Sequence, residues 1–227
     1  MLKQQGRSFD GLRVSVSGAG NVAQYSVEKA MALGAKVVTV SDSSGTVVDE
    51  SGFTPEKLAE LIEVKNHLYG RVSDYAKRVG GAFHPGLRPW HVPVDVALPC
   101  ATQNELDGED AERLLKNGVI CVAEGANMPS TAEAVKVFES NNVLYAPGKA
   151  SNAGGVATSG LEMSQNAMRL SWPREEVDAR LHEIMYNIHE ACLHYGRGAD
   201  GKVSYVNGAN IAGFVKVADA MLAQGVI

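Results

Sequence analysis

The feature that most constrains this chain is the hexapeptide Gly18-Ala19-Gly20-Asn21-Val22-Ala23 together with its flanks. Before it, Leu12–Ser17 (LRVSVS) is a short β-branched run that reads as a strand. After it, Asn21–Leu33 has helical periodicity, with Val22, Val27, Ala30 and Leu33 on one apolar stripe, and Gly34 stops it. Lys36–Ser41 (KVVTVS) is a second apolar run. Strand, helix and strand within about thirty residues make a βαβ unit, whose two strands are parallel. The spacing Gly18-x-Gly20-x-x-Ala23 is that of a dinucleotide-binding turn. The first glycine makes the turn, the second lets a pyrophosphate approach the backbone, and Ala23 lets the helix pack closely on the sheet. The helix N-terminus then favours the negative charge. Both flanking elements are present, and an acid follows at Asp42, 24 positions after Gly18; the alternative is a glycine turn that only shortens a βα connection.

That acid raises the question of which nucleotide is held. An acid ending the second strand ordinarily accepts from the ribose 2′-hydroxyl of NAD and would repel the 2′-phosphate of NADP. Yet Asp42 stands within SDSSG, beside the hydroxyls of Ser41, Ser43 and Ser44. Lys65 and Arg71 follow the next helix and can fold back over the same edge, where two cations and a hydroxyl suit a phosphate. They can equally be solvated surface charges, and spacing alone leaves NAD and NADP evenly balanced.

Further along, VDVALPC, VICVAEG and VLYAPG read as strands that alternate with the helical stretches DGEDAERLLKNG and STAEAVKVFESN. Another helix, TPEKLAELIEVK, opens with Thr54 as N-cap and Pro55 in its first turn. This alternation predicts an α/β fold, a doubly wound, Rossmann-like, mostly parallel sheet over residues 1–150. From residue 151 to 227 only helices are expected, Ser151–Leu170, Arg174–Tyr195 and Gly208–Gln224. Ligands of open α/β sheets bind outside the carboxyl ends of the strands. Three such ends here carry amides and small residues: LPCATQNEL with Ala101, Thr102, Gln103 and Asn104, AEGANMPST with Asn127, and APGKASNAGG with Asn152.

Several other chemistries lack their residues. APGKASNAGG is no phosphate loop, since Val143 stands where the first glycine belongs and Ala150 where Ser or Thr belongs. His182, His189 and His194 share a helix without the acid-flanked spacing of a metal site, so no metal is expected. Cys100, Cys121 and Cys192 have no paired spacing and read as reduced thiols. A net charge of −5 speaks against nucleic-acid or acidic-membrane partners. The opening MLKQQGRSFDG lacks the apolar core of a signal peptide, and no run of eighteen apolar residues occurs, so a cytoplasmic protein is expected.

Five stretches carry a resemblance: SVSGAGNVAQYSVEKAMALGAKVVTVSDSSGTVVDESGFT, ALPCATQNEL, VAEGANMPST, APGKASNAGGVATSGLEMSQNAMRLSW and NGANIAGFVKVADAMLAQGVI. Together they closely resemble the C-terminal half of bacterial NADP-dependent glutamate dehydrogenases, over about Phe9 to Ile227. The resemblance implies interconversion of glutamate, water and NADP with 2-oxoglutarate, ammonium and NADPH, in homohexamers of two-domain subunits with the active site in the cleft between domains. It implies a cofactor site comprising Gly18, Gly20, Asn21, Val22, Asp42, Ser43, Lys65, Arg71, Ala101, Thr102, Gln103, Asn127 and Asn152. Within it, Asn21 would contact the pyrophosphate or ribose, and Ser43, Lys65 and Arg71 the 2′-phosphate, while Asn127 and Asn152 would lie near the nicotinamide half. This favours NADP, with NAD tolerated. Val156 and Ser159 would line the substrate pocket, the Ser159 hydroxyl reaching the γ-carboxylate of glutamate.

One departure from the family weighs most. The glycine-rich GGGKGG-type segment, the catalytic lysine and the catalytic aspartate belong to a first domain that this sequence does not contain. No catalytic residue is therefore expected in this chain, which reads as part of a longer enzyme and as inactive alone. The helical segment 151–227 would line the cleft and pack on that first domain. Ile211, Phe214, Val217 and Met221 would then form an apolar face without its partner, and concentration-dependent self-association is expected of the chain. Two other readings stay open: a domain of a leucine, valine or phenylalanine dehydrogenase, which Ser159 argues against, and a nucleotide-binding or regulatory module without turnover.

Overall fold

The computed structural model describes residues 1–225; Val226 and Ile227, the last two residues of the expected helical tail, lie outside them. The chain divides into two compact units, Met1–Tyr145 and a second from Ala146 on.

The first unit is built on a seven-stranded sheet. Its strands are β1 (Arg13–Val16), β2 (Lys36–Asp42), β3 (Gly45–Val48), β4 (Ala82–Pro85), β5 (Val96–Leu98), β6 (Cys121–Ala123) and β7 (Leu144–Ala146), where the unit ends. Their order in space is β4-β3-β2-β1-β5-β6-β7. β1 pairs in parallel with β2 and β5, and β5 with β6, as the βαβ reading requires. Two strands are additions to that reading. β3 runs antiparallel to β2 and to β4, so one edge of the mostly parallel sheet is an antiparallel ribbon.

The valines of β1, β2 and β5 form the floor of the core: Val14, Val16, Val37, Val40 and Val96 are buried against Phe53, Leu61 and Tyr75. Each such side chain contributes about 1.5–3 kcal/mol relative to leaving it in water. The core also holds Ser15 and Thr39, which hydrogen-bond each other at 3.0 Å. The Thr39 hydroxyl further accepts from the Val16 amide (2.9 Å) and donates to the Val16 carbonyl (3.1 Å). It thus fills the ladder where the β1–β2 register slips between Val14 and Ser15.

Five helices complete this unit: α1 (Asn21–Ala32), α2 (Pro55–Ile62), α3 (Val72–Val79), α4 (Gly108–Lys116) and α5 (Ala132–Ser140). The Thr54 hydroxyl caps α2 as expected, accepting from the Lys57 amide, and α2 runs on into a wide turn over Glu63–His67. α1 corrects one expectation. Val27 and Ala30 are buried, but Val22 and Leu33 are about half exposed, because the helix start faces a cleft and its end faces solvent. The connection β1–α1–β2 steps one way across the sheet, and β5–α4–β6–α5–β7 steps the other. Right-handed crossovers place helices of opposite steps on opposite faces, which makes the wind double, with its reversal between β1 and β5.

The second unit is helical: α6 (Gly148–Ser151), α7 (Gly154–Met168), α8 (Arg174–Gly196) and α9 (Tyr205–Gln224). The expected helix 151–170 is therefore two, parted at Asn152 and Ala153. α9 begins at Tyr205 rather than Gly208, because the Ser204 hydroxyl caps it by accepting from the Asn207 amide. α8 and α9 touch backbone to backbone at Gly208, where a Cβ would collide with the Cys192 carbonyl. Apolar positions stay in water on α7, at Val156 and Met163, and on α9, at Ile211, Phe214, Val217 and Met221.

Candidate functional site

A cleft of about 680 Å³ opens at the carboxyl ends of β1, β2 and β5, where the wind reverses. One part of its wall is the turn Gly18–Val22. Gly18 has φ +82°, and a Cβ there would stand 2.9 Å from the Cys100 carbonyl oxygen. Gly20 is different: its backbone is extended and a Cβ would meet nothing within 4 Å. The fold needs glycine at 18; at 20 the empty space belongs to the cleft. α1 begins there without a capping side chain and without an acid in its first turn. Its leading amides, at Asn21, Val22 and Ala23, have no intrahelical acceptor, and the helix dipole adds partial positive charge.

Side chains tie the three strand ends together. The Ser41 hydroxyl accepts from the Gly18 amide at 2.9 Å, joining β2 to the turn. The Ser17 hydroxyl accepts from the Cys100 amide and donates to the buried Glu105 carboxylate, both at 2.8 Å. Glu105 also accepts from the Ala101 amide at 2.9 Å. Burial pushes its pKa up from the ordinary carboxylate value, against these hydrogen bonds. Ala101, Thr102 and Gln103 line the cleft on this loop, which Asn104 closes in a left-handed conformation, its amide donating to the Met128 carbonyl. Cys100 is buried behind the turn, and burial pushes its thiol up to about 12, so it is an inert packing residue.

Asp42 decides the character of the cleft. Its Oδ1 accepts from the amide and hydroxyl of Ser44, at 2.8 and 2.5 Å. Its Oδ2 accepts from Lys65 Nζ at 3.1 Å and from the Val72 amide at 3.0 Å. Burial works to raise the Asp42 pKa, but these donors outweigh it and hold the carboxylate below its ordinary range. Four donors occupy the two oxygens, so little is left to receive a ribose hydroxyl. Lys65, held also by the Gly70 carbonyl at 2.9 Å, neutralises the acid. Arg71 is exposed and donates from Nη1 to the Ser43 hydroxyl at 2.8 Å. The edge that sequence spacing left undecided thus presents an acid turned inward and a hydroxyl–guanidinium pair turned outward.

The expected site residues are placed as follows. Gly18, Gly20, Asn21, Val22, Asp42, Ser43, Lys65, Ala101, Thr102 and Gln103 line this one cleft, and Arg71 joins it through Ser43. Asn127 is exposed on the β6–α5 loop, away from the lining. Asn152, at the end of α6, and Val156 and Ser159, on α7, belong to the second unit. The sequence reading missed Ser17 and Glu105, whose role depends on a bond spanning 88 residues that no local pattern signals. It also missed Arg88, on the Gly86–Pro89 part of the lining.

The family model described as glutamate/leucine/phenylalanine/valine dehydrogenase matches residues 1–225. The NADP-specific glutamate dehydrogenase of Salmonella typhimurium is 68% identical over the whole chain, which covers 51% of that relative. An NAD-specific glutamate dehydrogenase of Bacteroides fragilis is 53% identical, with the same coverage. The solved glutamate dehydrogenase of Plasmodium falciparum superposes with a TM-score of 0.95 at 48% identity, over 100% of this chain and 49% of that one. The chain spans about half the length of the curated relatives it matches.

Proposed function

Because the chain belongs to the glutamate/leucine/phenylalanine/valine dehydrogenase family, we propose that it is the cofactor-holding half of an NADP-dependent glutamate dehydrogenase. The full enzyme interconverts L-glutamate, water and NADP with 2-oxoglutarate, ammonium and NADPH. NADP, when bound, supplies the hydride acceptor, and in reduced form the donor for the reverse reaction. The residues of the cleft suit such a group. The open space at Gly20 admits a pyrophosphate against the backbone, and the uncapped amides of α1 hold its charge. Ser43, Arg71 and Lys65 would hold the 2′-phosphate. Ala101, Thr102 and Gln103 would flank the cofactor on the β5 side. Val156 and Ser159 line the substrate side.

The observation that carries the NADP reading is the saturation of Asp42 by Ser44, Lys65 and Val72. An acid in that state neither recruits a 2′-hydroxyl nor repels a phosphate at full strength. Domains follow the same reading: residues 1–150 hold the nucleotide and 151–227 line the catalytic cleft. The lysine and aspartate that the family uses for acid–base work are not among these residues, so this chain alone does not turn over. The complete enzyme acts as a cytoplasmic homohexamer; among the described residues no helix is long and apolar enough to cross a membrane.

Calorimetric titration of this chain with NADP and with NAD tests the reading. NADP should bind clearly tighter. Equal affinity, or tighter NAD, would withdraw the NADP assignment, and binding of neither would remove the cleft as a nucleotide site of the isolated chain.

A further inference from the structure

The cleft carries one more cation, and its geometry differs from that of Lys65 and Arg71. The segment Gly86–Pro89 lines the cleft between β4 and the short turn Pro89–His91. It is fastened to the edge that holds Ser43. The Gly86 amide donates to the Ser44 carbonyl at 2.9 Å, and the Thr46 hydroxyl donates to the Leu87 carbonyl at 2.6 Å. Arg88, two residues beyond Gly86, pairs through Nη1 with Asp110 Oδ2 at 3.2 Å and with Asp107 Oδ2 at 3.6 Å. Neither acid lines the cleft, although Arg88 does. Asp110 is buried and is itself fixed by Arg113 at 2.9 Å.

Three consequences follow. The edge of the guanidinium that bears Nη1 is committed to acids outside the cleft. Two carboxylates offset its charge where one meets Lys65, so it makes a weaker hook for a phosphate than Lys65 or Arg71. The guanidinium keeps its planar face, and a cationic plane fixed at one edge pairs with an aromatic ring. A dinucleotide with its pyrophosphate at α1 and its 2′-phosphate at Ser43 carries its purine on that same ribose, within reach of a wall bonded to Ser44.

We propose that Arg88 is the adenine platform of the cleft, its guanidinium plane stacking on the purine while Asp107 and Asp110 hold it in place. The proposal rests on the nucleotide reading of the cleft. It assigns Arg88 to the part of the ligand that NADP and NAD share, and so separates it from the residues that distinguish them.

The test is titration of the whole chain and of its R88A and R88K variants with NADP, NAD and nicotinamide mononucleotide. Unfolding midpoints establish that each variant is folded, and R88K decides if R88A is not. Both variants should lose affinity for NADP and NAD alike, on the order of tenfold, with mononucleotide binding unchanged. An etheno-adenine analogue of NADP should be quenched on binding the unmodified chain and less so on binding R88K. Wild-type affinity in R88K, or a loss confined to NADP, would make Arg88 a charge and overturn the platform. Failure of the unmodified chain to bind either dinucleotide would remove the nucleotide reading itself, and this proposal with it.

Discussion

A glycine can be required by the chain or by what the chain binds, and Gly18 and Gly20 divide along that line. Gly18→Ala forces a Cβ against the Cys100 carbonyl at a positive φ, which should destabilise the fold by about 1–3 kcal/mol in denaturant unfolding. At Gly20 a Cβ meets no protein atom within 4 Å, so in Gly20→Val stability should change by less than about 1 kcal/mol while binding of both nucleotides disappears. Retained affinity in that variant would place the nucleotide elsewhere. Lys65→Ala uncovers one side of Asp42 and removes a cation; NADP should weaken about tenfold or more, with NAD nearly unchanged. Equal losses in parallel titrations would mean that Lys65 does not serve the 2′-phosphate. The turn glycines were legible in the sequence because their spacing is local. The orientation of Asp42 was not, because two of its donors, Lys65 and Val72, arrive 23 and 30 residues later in the chain.

Between elements, the same carboxylate joins the end of β2 to the start of α3 through the Val72 amide. Its pKa in the folded chain lies below the ordinary 3.8, so the unfolded chain binds more protons as pH falls through that value. The stability it contributes is present above about pH 4 and is lost as pH drops through the folded pKa. Urea unfolding of Asp42→Asn between pH 6 and 3 should therefore show a shallower loss on the acid side than the unmodified chain. Identical acid limbs would mean that the inward hydrogen bonds do not persist in solution. At this scale the parallel strands were legible as apolar runs. β3 was not, because it is four residues long and directly follows β2; β4 was not, because it lies half exposed and ends in proline. α3 did carry a signal, Val72, Tyr75, Ala76 and Val79 at helical spacing, but its charges at Asp74, Lys77 and Arg78 masked it.

Taken whole, the chain spans about half the length of the relatives it matches, and α7 and α9 carry exposed apolar positions. Supplying the other half of a family member in trans should produce NADPH oxidation with 2-oxoglutarate and ammonium, whereas this chain alone should produce none. Turnover by the chain alone would overturn the division of labour proposed above. No turnover in the mixture, with NADP bound, would favour a binding module. The bond between Ser17 and Cys100 closes a loop of 83 residues and carries the β1–β5 pairing on to the glycine turn. On a chain emerging from synthesis, β2 can join β1 early, but the cleft has only half its wall until β5 has been made and has found its place. Such a closure is entropically slow to reach. The nucleotide therefore cannot template the first steps of folding; it can only select molecules that have finished them, so that retention on a cofactor column is a readout of completed assembly.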